Sequence, residues 1–341
     1  MTFQETHDSL QAKLKGIIPD IEMKYKAEIA YKINCLKKEK NAVILGHNYM
    51  EPALYHLVCD FTGDSLELSR EAALTQNDII VFCGVRFMAE TAKILNPRKT
   101  VLLPSEKAGC SLASGITAED VRRLKTRFPG APVVAYVNTY ADVKAESDIC
   151  CTSSNAAKII NSLDSDLIIF LPDEYLARNV AKETGKRIIF PNLGNDFAET
   201  NFQMVGWKGR CEVHEKFTVE DIRNVRSQFR DVAVLAHPEC SPEVIAASDF
   251  SGSTTAMIQY VAQTNASRYL LLTECAMGDN IAAENKQKEM VRACNVRCSH
   301  MNHITLENTL AALENEQYVI DVPEEIRIKA FRAVKRMLAV D

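Results

Sequence analysis

A segment starting at Thr117, TAEDVRRLKTRFPGAPVVAYVN, recurs 101 residues later at Thr218 as TVEDIRNVRSQFRDVAVLAHPE. Cys110 and Cys211, Tyr136 and His237, Ser153 and Thr254, and Asp173 and Glu274 keep the same offset. A single register over this length indicates internal repetition, which constrains the fold more than any local propensity does. A looser copy precedes the pair, with VILGHNY from Val43 matching VVAYVNT from Val133 at an offset near 89. After Cys211 the next cysteine in the scheme is Cys298, 87 residues on, so the last copy is shorter.

Each copy reads alike. Thr117 and Thr218 open amphipathic helices, each with an acidic residue three positions later, the pattern of a capping box. A short β-rich run follows (VVAYV, AVLAH), ending in a polar residue. Ser/Thr clusters come next: Asp64-Ser65, Thr152-Ser153-Ser154 and Ser251 to Thr255. Then come buried-type strands, DIIVFCG from Asp78, DLIIFLP from Asp166 and RYLLLTE from Arg268, and third runs at Thr100 (TVLLP) and Arg187 (RIIFP). Continuous apolar runs alternating with helical stretches indicate parallel strands covered on both faces. The expected fold is α/β: three pseudo-threefold-related, three-layer αβα units, each with a small parallel sheet, around a central site. The expected division is 1–116, 117–217, and 218–341 with a C-terminal helical tail.

A net charge of −5 leaves no basic excess for phosphate-backbone contacts, so no nucleic-acid partner is expected. No apolar run approaches the roughly 18 residues of a membrane span, and the N-terminus lacks a signal-peptide layout. A cytoplasmic chain without a membrane partner is expected. Eleven cysteines are too few for a disulfide scaffold of this length. Cys35, Cys59 and Cys83 lie in apolar stretches and read as packing residues.

In parallel sheets, ligands bind beyond the carboxyl ends of the strands. The repeat places His47 and Tyr49, Tyr136 and Asn138, and His237 and Glu239 at those ends, where they can converge with one cysteine per unit. Capping and packing explain the helices and the apolar runs, but not acid–base side chains at strand ends. An iron–sulfur or zinc-binding regulator and a small-anion binding protein are the competing classes.

The motifs GHNYM at Gly46, GDSLELSR at Gly63, GVRFMAETAKIL at Gly84, YVNTYADVKAESD at Tyr136, CTSSNA at Cys151, GRCEVHEKF at Gly209, AHPECSPEV at Ala236 and SGSTTAMI at Ser251 resemble, in order, those of the quinolinate synthase A family. The resemblance runs from about Tyr25 to Leu313. It implies a three-domain α/β enzyme that condenses iminoaspartate with dihydroxyacetone phosphate to quinolinate, with loss of phosphate and water, in de novo NAD biosynthesis. Functional coupling to an L-aspartate oxidase or dehydrogenase is part of the same implication. So is a [4Fe–4S] cluster held by three cysteines, with one iron lacking a protein ligand. By motif the ligands are Cys110, Cys211 and, near the C-terminus, Cys298. There the sequence departs from the usual pattern, and Cys294 is the alternative. The vacant iron suits dehydration chemistry.

Ser65, Ser153, Ser253 and Thr254, at turns that open helices, are expected to bind the anionic substrate groups. His47, His214 and His237 match family motif positions and can exchange protons or donate to carboxylates. Glu239 is the expected general base, Tyr136 and Asn138 orient the intermediate, and Tyr49 acts as acid or lid. Arg86 suits either a ligand charge or an ion pair between units. His56, His300 and His303 carry no such support.

Overall fold

The first copy folds as a four-stranded sheet of β1 (Ala42–His47), β2 (Phe61–Gly63), β3 (Ile79–Cys83) and β4 (Thr100–Leu102). The second holds β5 (Val133–Tyr136), β6 (Ile149–Cys151), β7 (Ile168–Leu171), β8 (Ile188–Ile189) and β9 (Met204–Gly206). The third holds β10 (Val232–Ala236), β11 (Phe250–Ser251), β12 (Arg268–Leu272) and β13 (Glu289–Val291). These come from a computed structural model that describes residues 2–191, 201–291 and 296–340. Strand orders are β2-β1-β3-β4, β6-β5-β7-β9-β8 and β11-β10-β12-β13, and every pairing between named strands is parallel. Helices flank each sheet, so the three α/β units follow from apolar runs that need cover on both faces.

The repeat is visible in the pairing register. Gly46 lies opposite Cys83, Ala135 opposite Leu171, and Ala236 opposite Leu272. Each central strand therefore leaves its sheet at the same point, delivering His47, Tyr136 and His237 as equivalents. A carboxylate holds each central strand to its neighbour: Asp60, Asp148 and Asp249 accept from the N–H groups of Ile44, Val133 and Val234, all at 2.8 Å. The expected capping boxes form at Thr117 with Asp120 and at Thr218 with Asp221, opening helices Ala118–Arg127 and Val219–Gln228.

Two features depart from a simple repeat. In the second sheet β9 takes the place beside β7, and the run at Arg187 is pushed to the edge as β8. The Met204–Gly206 segment is fully buried, which suits it to the interior position. The C-terminal tail also follows the third unit in sequence but packs elsewhere. Helix Leu306–Asn315 lies on helix Asp20–Glu39 and β3, and helix Glu324–Leu338 lies on helix Ala141–Ala145 and β6. Val319 bridges Leu102 antiparallel, covering the open edge of β4. Among the described residues, no helix is long and apolar enough to cross a membrane.

Candidate active site

Each proposed cluster cysteine stands just before a short helical turn. Cys110 precedes Ser111–Ser114, Cys211 precedes His214–Lys216, and Cys298 precedes Met301–His303. In every case the backbone N–H groups two and three residues on point at the sulfur: Leu112 and Ala113, Val213 and His214, His300 and Met301. Seven residues beyond each cysteine a threonine (Thr117, Thr218, Thr305) caps the next helix. That helix belongs to the second unit after Cys110 and to the third after Cys211. After Cys298 it packs on the first, so the chain closes a ring. Gly209 lets the Cys211 loop approach β7, because a Cβ there would meet the Pro172 carbonyl at 2.6 Å.

The strand ends and the thiols face one cavity. The first unit contributes His47, Tyr49, Ser65 and Cys110, and the second contributes Tyr136, Asn138, Ser153 and Cys211. His214, His237, Glu239, Thr254 and Cys298 complete the expected set. Ser253, by contrast, is not on the wall. Its hydroxyl accepts from the Ala256 N–H and caps helix Thr254–Gln263. Arg86 is also off the wall, paired with Glu90, whose other oxygen accepts from the Ala141 N–H of the second unit. His300 and Asp64 line the cavity although no role was expected of either; the position of His300 two residues after Cys298 was the available signal. His56 is buried elsewhere, 3.7 Å from Glu284. Cys294 lies outside the described residues.

Glu239 is the electrostatic centre. It is almost fully buried, with Oε2 2.6 Å from His214 Nδ1 and 3.8 Å from His237 Nδ1. Asn138 Nδ2 donates to its Oε1 at 3.1 Å, which joins the two positions related by the 101-residue repeat. Burial opposes the carboxylate, but His214, His237 and the Tyr136 hydroxyl outweigh it and hold the carboxyl well below the usual range. Burial drives His237 down to about 3, helped by neighbouring His214, and His47 down to about 4. Both rings are therefore neutral at physiological pH. Burial, reinforced by the Glu239 charge, raises Tyr49 and Tyr136 well above the ordinary phenol value. Asn138 Oδ1 is buried without a hydrogen-bond partner among the described residues.

The three cysteines fit a cationic group with soft-donor demand. Burial pushes Cys110 up to about 12, Cys211 well above its ordinary value, and Cys298 up as well. Thiolates at these positions need a nearby positive charge, and the amide donors at each sulfur favour the same anionic form. All three thiols are free, and soft thiolate donors suit iron–sulfur clusters. Among the described residues one compact donor group is also present: Cys211, His214 and Glu239, with ligand atoms within 4.8 Å of one another.

Comparison with known proteins agrees with this geometry. A family profile for quinolinate synthetase A proteins matches residues 31–339. The chain is 51% identical over 339 residues to quinolinate synthase 2 of Mesorhizobium japonicum, covering 99% of both chains. It is 49% identical over 329 residues to a quinolinate synthase of Sinorhizobium fredii, covering 96% of this chain and 87% of that one. A quinolinate synthase of Xylella fastidiosa is 51% identical over 305 residues, 89% of this chain and 85% of that one. A profile match over residues 31–339 and 51% identity to a quinolinate synthase over 99% of both chains mean that the chain belongs to the quinolinate synthetase A family.

Proposed function

We propose that this chain is a quinolinate synthase that condenses iminoaspartate with dihydroxyacetone phosphate, releasing phosphate and water, in de novo NAD biosynthesis. The observation that carries the reading is the convergence of three strand ends and three thiols on one cavity. Cys110, Cys211 and Cys298 hold a [4Fe–4S] cluster, with one iron left free of protein ligands. When bound, that iron supplies a Lewis acid that eases departure of hydroxide.

The remaining work falls to the chain's own residues. Glu239 is the general base, held ionised and aimed by the His214 Nδ1–H group. A carboxylate held this low is a weak base. It suits a proton already acidified by an adjacent imine and carboxylate, as in iminoaspartate. Neutral His47 and His237 donate to or accept from bound carboxylates without adding charge. Asn138 and Tyr136 orient the condensing intermediate, and Tyr49 closes the cavity beside the His47 ring, 4.5 Å away. Ser65, Ser153 and Thr254 bind anionic groups with their hydroxyls and the adjoining turn amides, while Ser253 supports this from its cap. The units divide at 1–116, 117–217 and 218–341, the last comprising the third α/β repeat and the C-terminal helical tail. The enzyme works in the cytoplasm beside an L-aspartate oxidase or dehydrogenase that supplies its unstable substrate.

A second reading rests on the Cys211, His214 and Glu239 group, which could hold a single zinc ion in a regulator. Anaerobically purified protein decides between them. The proposed enzyme is brown, contains about four irons and four sulfides per chain, and forms quinolinate from the two substrates. Colourless, zinc-loaded protein without that activity would sink it.

A further inference from the structure

In each unit the residue that follows the strand end by two, Tyr49, Asn138 or Glu239, sits between two backbone carbonyls that a single nitrogen holds together. Asn179 Nδ2 donates to Pro238 O at 2.8 Å and to Cys240 O at 3.0 Å, on either side of Glu239. Asn280 Nδ2 donates to Asn48 O at 3.1 Å and to Met50 O at 2.9 Å, on either side of Tyr49. Lys144 Nζ donates to Val137 O at 2.9 Å and to Thr139 O, on either side of Asn138. A primary amide has two N–H hydrogens, one for each carbonyl, so both asparagines match their acceptors. None of the three donors lines the cavity.

The repeat explains which side chains do this. Cys83, Leu171 and Leu272 are equivalent by pairing register, and eight residues beyond them stand Thr91, Asn179 and Asn280. Helix Glu174–Glu183 of the second unit therefore holds the third unit's turn, and helix Cys275–Glu284 of the third holds the first unit's. Helix Arg86–Leu95 of the first unit meets the second, where Glu90 accepts from the Ala141 N–H, but Thr91 gives its hydroxyl to Phe87 O of its own helix. The second unit supplies the missing donor itself. Lys144 is the fourth residue of helix Ala141–Ala145, and its counterparts in helices Pro52–Leu57 and Pro242–Ala247 are Tyr55 and Ile245. Lys144 is fully buried, a costly place for an ammonium group. It stands only where the neighbouring helix offers no amide, which ties its burial to these carbonyls rather than to packing.

We propose that Asn179, Asn280 and Lys144 are positioning residues, each fixing the backbone turn that presents Glu239, Tyr49 or Asn138 to the cavity. This rests on the reading of the cavity as the site of quinolinate formation, with Glu239 as its base. A side chain moves with the turn that carries it, and a displacement near 1 Å costs about 100-fold in rate. Asn179 touches no ligand, so its effect falls on turnover rather than on substrate binding.

The test is made at the Glu239 turn with Asn179→Leu, which keeps the volume and removes both donors, in wild-type and in Glu239→Gln holoenzyme. Steady-state quinolinate formation, iron content, thermal midpoint and hydrogen exchange over 237–241 are measured. The Cys240 N–H donates to His237 O across that turn at 2.9 Å, so its exchange reports the turn directly. Expected for Asn179→Leu is a kcat lower by about 10–100-fold, KM within about threefold of wild type, unchanged iron and faster exchange over 237–241. In the Glu239→Gln background the same change lowers kcat by less than about threefold, because a residue that acts through the base adds nothing once the base is gone. A merely structural role would cost the same in both. If the leucine variant does not fold, Asn179→Ala is judged by the same limits. Wild-type turnover, unchanged exchange over 237–241, or equal loss in the two backgrounds overturns the inference. A wild-type chain that makes no quinolinate, or a Glu239→Gln chain within about tenfold of wild type, sinks the functional reading instead, while exchange over 237–241 still decides the role of Asn179.

Discussion

Replacing Glu239 by Gln separates proton transfer from binding more cleanly than any other single change. The amide keeps the carboxylate's shape, and its oxygen can still accept from Asn138 Nδ2, now 3.1 Å from Oε1. The other side does not survive. His214 Nδ1–H points at Oε2 from 2.6 Å, and an amide NH₂ there sets donor against donor. The ring must change tautomer or the contact must open. Loss of a charge-assisted hydrogen bond costs about 1.5–3 kcal/mol, but removing a buried charge offsets part of this. Stability should therefore change by no more than about 2 kcal/mol, which leaves the protein folded. Loss of the base is worth about 10²–10⁴-fold in rate, or about 3–5 kcal/mol of activation free energy. The assay is quinolinate formation with both substrates saturating, with iron quantified in the same sample and the urea midpoint measured alongside. A turnover loss under about tenfold with iron unchanged would reduce Glu239 to a positioning group and move the base to His237 or Tyr49.

Three further outcomes are expected. Cys298→Ser should remove iron and sulfide from the purified protein while Cys294→Ser leaves both, and the reverse result would transfer the ligand role to Cys294. Thr218→Ala removes the cap that accepts from the Asp221 N–H and should lower stability in urea by about 1 kcal/mol without changing turnover; no measurable loss would mean the capping box is dispensable. Burial holds His56 down to about 4, so its neutral form supports the fold above the usual imidazole value. As pH falls from about 6.5 to 4 the unfolded chain takes up that proton first, so stability declines across this window. The decline should be shallower in His56→Phe, and identical slopes in the two proteins would exclude His56 as a contributor.

The chain's repetition was legible because its physical causes are local. A capping threonine with its acid three residues on and a run of β-branched residues each leave a mark within a few positions of sequence, which is why the helices after Thr117 and Thr218 and the strands around Val133 and Val232 lie where the pattern puts them. The cysteine register survives for the same reason: the thiols at 110, 211 and 298 each precede one helical turn and a threonine cap. Strand-end residues such as Tyr136 and His237 were legible through that register, since equivalent strands leave their sheets at equivalent points. Non-local choices left no such mark. Met204–Gly206 displaced β8 because it buries better beside β7, a competition settled between segments rather than within one. The tail helices turned back to the first two units, where their apolar side chains join a common core, and no spacing in 306–338 reveals that choice. Thr273 stayed hidden for a related reason. Its hydroxyl meets Tyr49 from 224 positions away and His214 from 59, and only the packed units bring those three side chains to one point.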